Sequence, residues 1–231
     1  MEFNEKYGYI TKRVIFLFFL VLLFQCKNTE NEKTNCKKLN AYSATFIEIY
    51  YDEKNKEYLD SALVYINEGI DNCSDYVSML SMRKLVILSE QRKFIEAIEF
   101  IKTIEEERFT ALPYYQELLL LRFKAMDATM NKESIKRDKF IEKCICLIEG
   151  YLSEYKKTDI DSHMRKSKVD DILGSSIGTS ISQYYYYRYQ IDKENVKVEL
   201  LGLKNRENIN SEFIEYLLDL LQEDFMTFIG I

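Results

Sequence analysis

Only one proline, Pro113, and seven glycines interrupt a chain of 231 residues, where average usage would supply about 11 and 16. A many-turned β-sandwich needs frequent glycine and proline at its turns. Helices joined by short polar turns do not. The apolar residues agree, because they recur at three- and four-residue spacing. Leu59, Ala62, Leu63, Ile66 and Ile70 share one face of a helix predicted over Tyr58–Ile70, and Phe94, Ala97, Ile98, Ile101 and Ile104 repeat the pattern over Phe94–Glu106. Further helices are predicted over Ala41–Tyr51, Tyr76–Glu90, Leu118–Met130, Ile135–Tyr155, Val196–Leu203 and Phe213–Phe228. Val169, Ile172, Leu173, Ile177, Ile181 and Tyr184 keep helical spacing between them. Thr110 is placed to cap a helix whose first turn holds Pro113. The polar stretch Lys156–Lys168 reads as a linker. The expected architecture is all-α, built from antiparallel helical hairpins.

The N-terminus reads as an address. Lys12 and Arg13 precede an unbroken apolar run, Val14–Phe24, and Cys26 follows it. Eleven residues of helix span roughly 16 Å at about 1.5 Å per residue, short of the about 20 residues a bilayer core needs. The length suits a signal-peptide core, and the basic pair supplies its positive flank. Residues 27–40, KNTENEKTNCKKLN, hold no large aliphatic residue before Leu39. Such a segment cannot bury enough apolar surface to fold and reads as a polar tether.

Leu23-Phe24-Gln25-Cys26 resembles the lipobox of bacterial lipoproteins. In that family the signal is cut before the cysteine, whose thiol is diacylated. The resemblance implies a signal peptide over 1–25, an acylated Cys26 with its tether over 26–40, and anchoring by two acyl chains. The implied location is the envelope of a Gram-negative bacterium, at the outer rather than the inner membrane. Gln25 departs from the small residue usual before the cysteine.

Tyr58–Ile66 aligns with Lys93–Ile101, and Ala62 and Ala97 occupy matching places. Gln91-Arg92-Lys93-Phe94-Ile95-Glu96-Ala97-Ile98 resembles the turn and second helix of a tetratricopeptide repeat, with Arg92 where that family carries glycine. The resemblance implies hairpins stacked as a tetratricopeptide-like array or short α-solenoid over 41–155, continued by a C-terminal helical region over 156–231. It also implies a groove lined by first helices, where Met82, Val86 and Glu90 would meet a peptide.

Chemistry is sparse. Net charge is −6, and the first 25 residues carry a net charge of +1 (Lys6, Lys12 and Arg13 against Glu2 and Glu5), so the remainder is more acidic still. An acidic chain lacks the basic footprint that nucleic acid requires, and it does not favour adhesion of the folded domain to anionic lipid. His163, the one histidine, has no second histidine with which to hold a metal, and no H-E-x-x-H, phosphate-loop or dinucleotide fingerprint occurs, so no metal or cofactor is expected. Glu105-Glu106-Glu107 and Asp170-Asp171 are adjacent residues that point about 100° apart on a helix, the pattern of a solvated face. Gly174-Ser175-Ser176-Ile177-Gly178 lacks the lysine of a phosphate loop and reads as a flexible or closely packed helix segment. Cys144 and Cys146 point about 200° apart on a helix and read as small hydrophobes, and the disulfide status of Cys36, Cys73, Cys144 and Cys146 stays open.

The run Tyr184–Tyr187 with Arg188 and Tyr189 covers a whole helix circumference, in the composition of binding hot spots. Tyr185, Tyr187 and Arg188 are the candidate partner contacts there. The expected function is a membrane-anchored, non-catalytic module that binds another envelope protein or peptide. An envelope enzyme or small-molecule binder, and a toxin-neutralising immunity-type protein, are the alternative classes.

Overall fold

The computed structural model describes residues 35–105, 112–165, 168–206 and 209–226. Cys26, Thr110 and the whole N-terminal address lie outside them. The described residues contain helices and no strand, and the helices pack against one another. The fold is all-α, as the scarcity of breakers predicts. Among the described residues no helix is long and apolar enough to cross a membrane. The chain divides into two compact units, Met1–Lys84 and Leu85–Ile231.

The first unit begins with α1, residues 35–53, followed by α2 (Glu57–Asn72), a short 3-10 turn (Ser74–Tyr76) and the start of α3 (Val77–Glu90). Leu39, Ser43 and Tyr50 of α1 and Leu59, Ala62 and Ile66 of α2 are buried, the one-sided spacing that makes each helix amphipathic. Gly69 lets α2 approach α3 closely, since a Cβ there would lie 2.5 Å from Leu80 Cδ1 and make that side chain shift. Two further devices hold α1. Cys36 is disulfide-bonded to Cys73, with Cα atoms 5.6 Å apart. The Arg83 guanidinium donates to the Asn40 carbonyl (2.8 Å), Asn40 Oδ1 (2.6 Å) and Ser43 Oγ (2.8 Å), satisfying polar groups that burial would otherwise penalise.

The second unit holds the end of α3, then α4 (Phe94–Thr103), α5 (Tyr115–Met130), α6 (Ser134–Ser153), α7 (Lys157–Met164), α8 (Val169–Leu173), α9 (Ser176–Ile191), α10 (Lys193–Lys204) and α11 (Ser211–Leu220). α5 packs between α4 and α6, and α6 packs in turn on α9. α9 also touches α7, α8, α10 and α11. A helix with neighbours on every side must bury every side. That is why serines, a glutamine, a glycine and tyrosines all count among its buried residues.

Several boundaries differ from expectation. α1 begins at residue 35, so 35–40, read as the end of a polar tether, is helical, with Leu39 buried and Cys36 bridged to Cys73. The stretch read as a linker contains α7, which packs on α9 through Met164. Pro113 stands in the turn before α5 rather than in its first helical turn. The final helix ends at Leu220, although Leu221 and Phe225 beyond it remain buried.

The turns after α3 and α5 share one hydrogen-bond pattern. Lys93 N–H donates to Leu88 O and Arg92 N–H to Ser89 O, while Glu133 N–H donates to Ala128 O and Lys132 N–H to Thr129 O. These are Schellman closures, whose central residue adopts the left-handed conformation. Arg92 (φ 57°) and Lys132 (φ 59°) take it here, and Lys54 (φ 56°) does so between α1 and α2.

Candidate functional site: the tyrosine helix and its two arginines

α9 starts where Ser175 caps it, its side chain accepting from Gly178 N–H at 3.1 Å. A Cβ on Gly178 would collide with the carbonyl oxygen of Ile172, on α8. The glycine-rich segment is therefore a close helix contact, one of the two forms its sequence suggested.

On one side of α9 lies Arg122 of α5, only 3% exposed. Its guanidinium carbon sits 5.3 Å from the centre of the Tyr186 ring, 5.9 Å from Phe225 and 6.0 Å from Tyr187. Burial works against its charge, but the facing phenols of Tyr187 and Tyr186 outweigh it and keep the cation. A planar, weakly hydrated guanidinium suits such an aromatic cage better than an ammonium would. Burial in turn pushes the Tyr187 phenol up, and it raises the Cys144 thiol to about 12. Cys144 and Cys146 are both free, the first buried and the second exposed.

Toward the N-terminal half of α9 the buried polar groups pair among themselves. The Tyr114 hydroxyl stands 2.6 Å from Ser180 Oγ and donates to Gln183 Oε1 at 2.9 Å. Its ring meets Tyr151 at 5.1 Å between centroids, and the hydroxyls of Tyr151 and Tyr155 are 2.8 Å apart. Burial raises Tyr114 to about 12.

On a further side, Glu199 of α10 gathers two donors from α9. Tyr185 OH donates to Oε1 at 3.0 Å and Arg188 Nη1 to Oε2 at 2.8 Å. Arg188 also lies 5.2 Å from the Tyr184 ring centre, and Tyr184 OH donates to Glu149 of α6 at 3.1 Å. Burial, and then Glu199, push Tyr185 up.

All the phenols whose shifts are named here are held protonated, and Arg188 is paired with a carboxylate. The arrangement binds helices together. Among the described residues no group of three His, Cys, Asp or Glu side chains could hold a metal ion.

No family model, curated protein or solved structure matches this chain.

Two of the predicted partner contacts are corrected by burial. Tyr185 is 8% and Tyr187 2% exposed, because α9 is enclosed by neighbouring helices. Arg188 is half-buried at the edge of that enclosure. Met82, Val86 and Glu90 are each half-buried on α3, Met82 in the first unit and the other two in the second. His163 falls within α7, and its side chain lies outside the described residues. Arg122 was not singled out from the sequence, although an arginine between Leu121 and Phe123 in an apolar run is itself a signal of a buried cation.

Proposed function

We propose that this protein is an envelope lipoprotein, anchored through acyl chains on Cys26, whose helical domain binds another envelope protein or peptide without catalysis. The observation that carries it is the Cys36–Cys73 disulfide. Structural disulfides persist in oxidising compartments outside the reducing cytosol. Cys36 stands ten positions after the proposed anchor, in the first described helix and within the stretch 26–40 that reads as a tether. A disulfide there agrees with an exported chain and with the signal-like run Val14–Phe24. Partner contact falls to half-exposed side chains such as Met82, Val86, Glu90 and Arg188, in keeping with the tetratricopeptide-like spacing of 58–107.

The test is metabolic labelling with an azido-palmitate analogue in the producing bacterium. The native chain takes up label and fractionates with membranes, and Cys26→Ser loses both. Persistent labelling of Cys26→Ser, or a mature N-terminus mapped elsewhere, overturns the anchor. For the partner, pull-down from detergent-solubilised envelope is expected to recover one stoichiometric protein. Recovery of none, with a small molecule retained in native mass spectrometry, points instead to a ligand-binding protein.

A further inference from the structure

Tyr42 and Phe46 of α1 and Tyr58 and Tyr65 of α2 form a ladder of rings along one side of that hairpin. Phe46 stacks on Tyr65 at 5.6 Å and 10°, and on Tyr58 at 6.2 Å and 27°. Tyr42 meets Tyr65 at 5.3 Å. Tyr42 is 50% exposed, and the other three rings are half-buried. The core of the unit lies elsewhere on both helices, at Leu39, Leu59, Ala62 and Ile66. The ladder therefore runs beside that core as a second line of contact between α1 and α2, with the Tyr42 ring left half open.

Charges of both signs border it. Lys38 precedes Tyr42 by one turn, and Lys56 stands just before α2; both are exposed. Glu53, Glu57 and Glu68 are exposed as well, and Glu53 is hydrogen-bonded to the Tyr58 hydroxyl. The border is mixed, and so is the headgroup of a zwitterionic phospholipid.

Position supplies the rest. α1 is the first described helix, and its first residue, Asn35, stands nine positions after Cys26. Nine residues reach at most about 30 Å when fully extended. Resting on the anchoring proposed above, we infer that the ladder docks on the zwitterionic surface of the membrane that holds the anchor. Tyrosine rings favour the headgroup level, where one end is apolar and the other wet. The lysine stems reach lipid phosphates, while the ring faces and carboxylates meet choline or ethanolamine. The anchor brings the hairpin to the surface, and the ladder lays it flat.

The chain contains no tryptophan, so one introduced indole reports alone. The full acylated protein is reconstituted into phosphatidylcholine–phosphatidylethanolamine vesicles whose acyl chains carry bromine, a short-range quencher. Tyr42→Trp probes the ladder. Tyr51→Trp is the control, because Tyr51 is 43% exposed and nine residues on, about 180° around the same helix. Circular dichroism checks each fold, and Phe46→Trp replaces Tyr42→Trp if that variant fails. Both variants are expected to float with the vesicles. Tyr42→Trp emission is expected to fall about twofold or more relative to unbrominated lipid, as for an indole at the headgroup level, with Tyr51→Trp little changed. Flotation with no stronger quenching at position 42 than at 51 overturns the docking, keeps the anchor and leaves the ladder to a protein partner. Failure to float overturns the anchor and the docking with it.

Discussion

The Arg122 guanidinium lies 5.3 Å from the centre of the Tyr186 ring, and neither side chain is more than 3% exposed. A buried cation packed against aromatic rings is costly to disturb, because its removal leaves both a void and reoriented phenols. Arg122→Ala is expected to cost about 3 kcal/mol or more, in the range seen when one partner of a buried polar set is deleted. Arg122→Met fills most of the volume without a charge and is expected to cost under about 1.5 kcal/mol. Urea unfolding followed by far-UV circular dichroism measures both, and equal losses would show that the cation–ring contact rather than the volume decides.

Tyr114 sets a second prediction, on pH. Its phenol is raised to about 12 by burial, against about 10 in an unfolded chain. Below pH 10 both states keep the proton and stability does not depend on this group. Between about 10 and 12 the unfolded state loses the proton first, so stability falls as pH rises. Tyr114→Phe is expected to flatten that fall while lowering stability at neutral pH through the lost contacts to Ser180 and Gln183. Urea midpoints from pH 8 to 11.5 read both effects, and a parallel fall in the variant counts against the assignment.

The Cys36–Cys73 bridge closes a loop with a sequence separation of 37. Chain entropy predicts that opening it costs about 3–4 kcal/mol. Thermal unfolding with and without reductant, and in Cys73→Ala, should show losses of this size. An unchanged Tm on reduction would mean that the Arg83 contacts already hold α1 in place.

Glycine substitutions should diverge in sign. A Cβ on Gly178 meets the Ile172 carbonyl, whereas Cβ atoms on Gly150 and Gly202 meet nothing within 4 Å. Gly178→Ala is expected to destabilise by about 2 kcal/mol or more. Gly150→Ala and Gly202→Ala, in α6 and α10, are expected to stabilise by up to about 1 kcal/mol each. Chemical denaturation of the three variants side by side tests the ordering.

Arg92 and Lys132 each hold a left-handed conformation at the close of a helix, where glycine carries no Cβ penalty. Arg92→Gly and Lys132→Gly are each expected to raise stability by about 0.5–1 kcal/mol. A loss in either variant would show that the basic side chain contributes more than its backbone costs.

Helices were legible because their signal is local. The spacing of Leu59, Ala62 and Ile66, or of Phe94, Ala97, Ile98 and Ile101, is enough to define a buried face, and those residues are buried. The turn at 91–93 was legible from its polar residues, and its Schellman closure keeps the conformation of a glycine turn without the glycine. Local pattern failed where polar residues form a packed helix, as in α7, and where a helix is enclosed, as in α9. There Tyr185 and Tyr187 read as a surface because tyrosine is amphipathic and suits either setting.

The amino-acid sequence by itself determined an all-α chain with few breakers, an acidic balance, and an apolar run, Val14–Phe24, ahead of Cys26. Tertiary structure alone decided that Cys36 pairs with Cys73, that Arg122 enters a cage built from α9 and Phe225, and that Gly178 lies against Ile172. Helical periodicity repeats within a few residues and is written locally. Each of those three choices depends instead on which helix faces meet, a result of packing the whole chain to interior density.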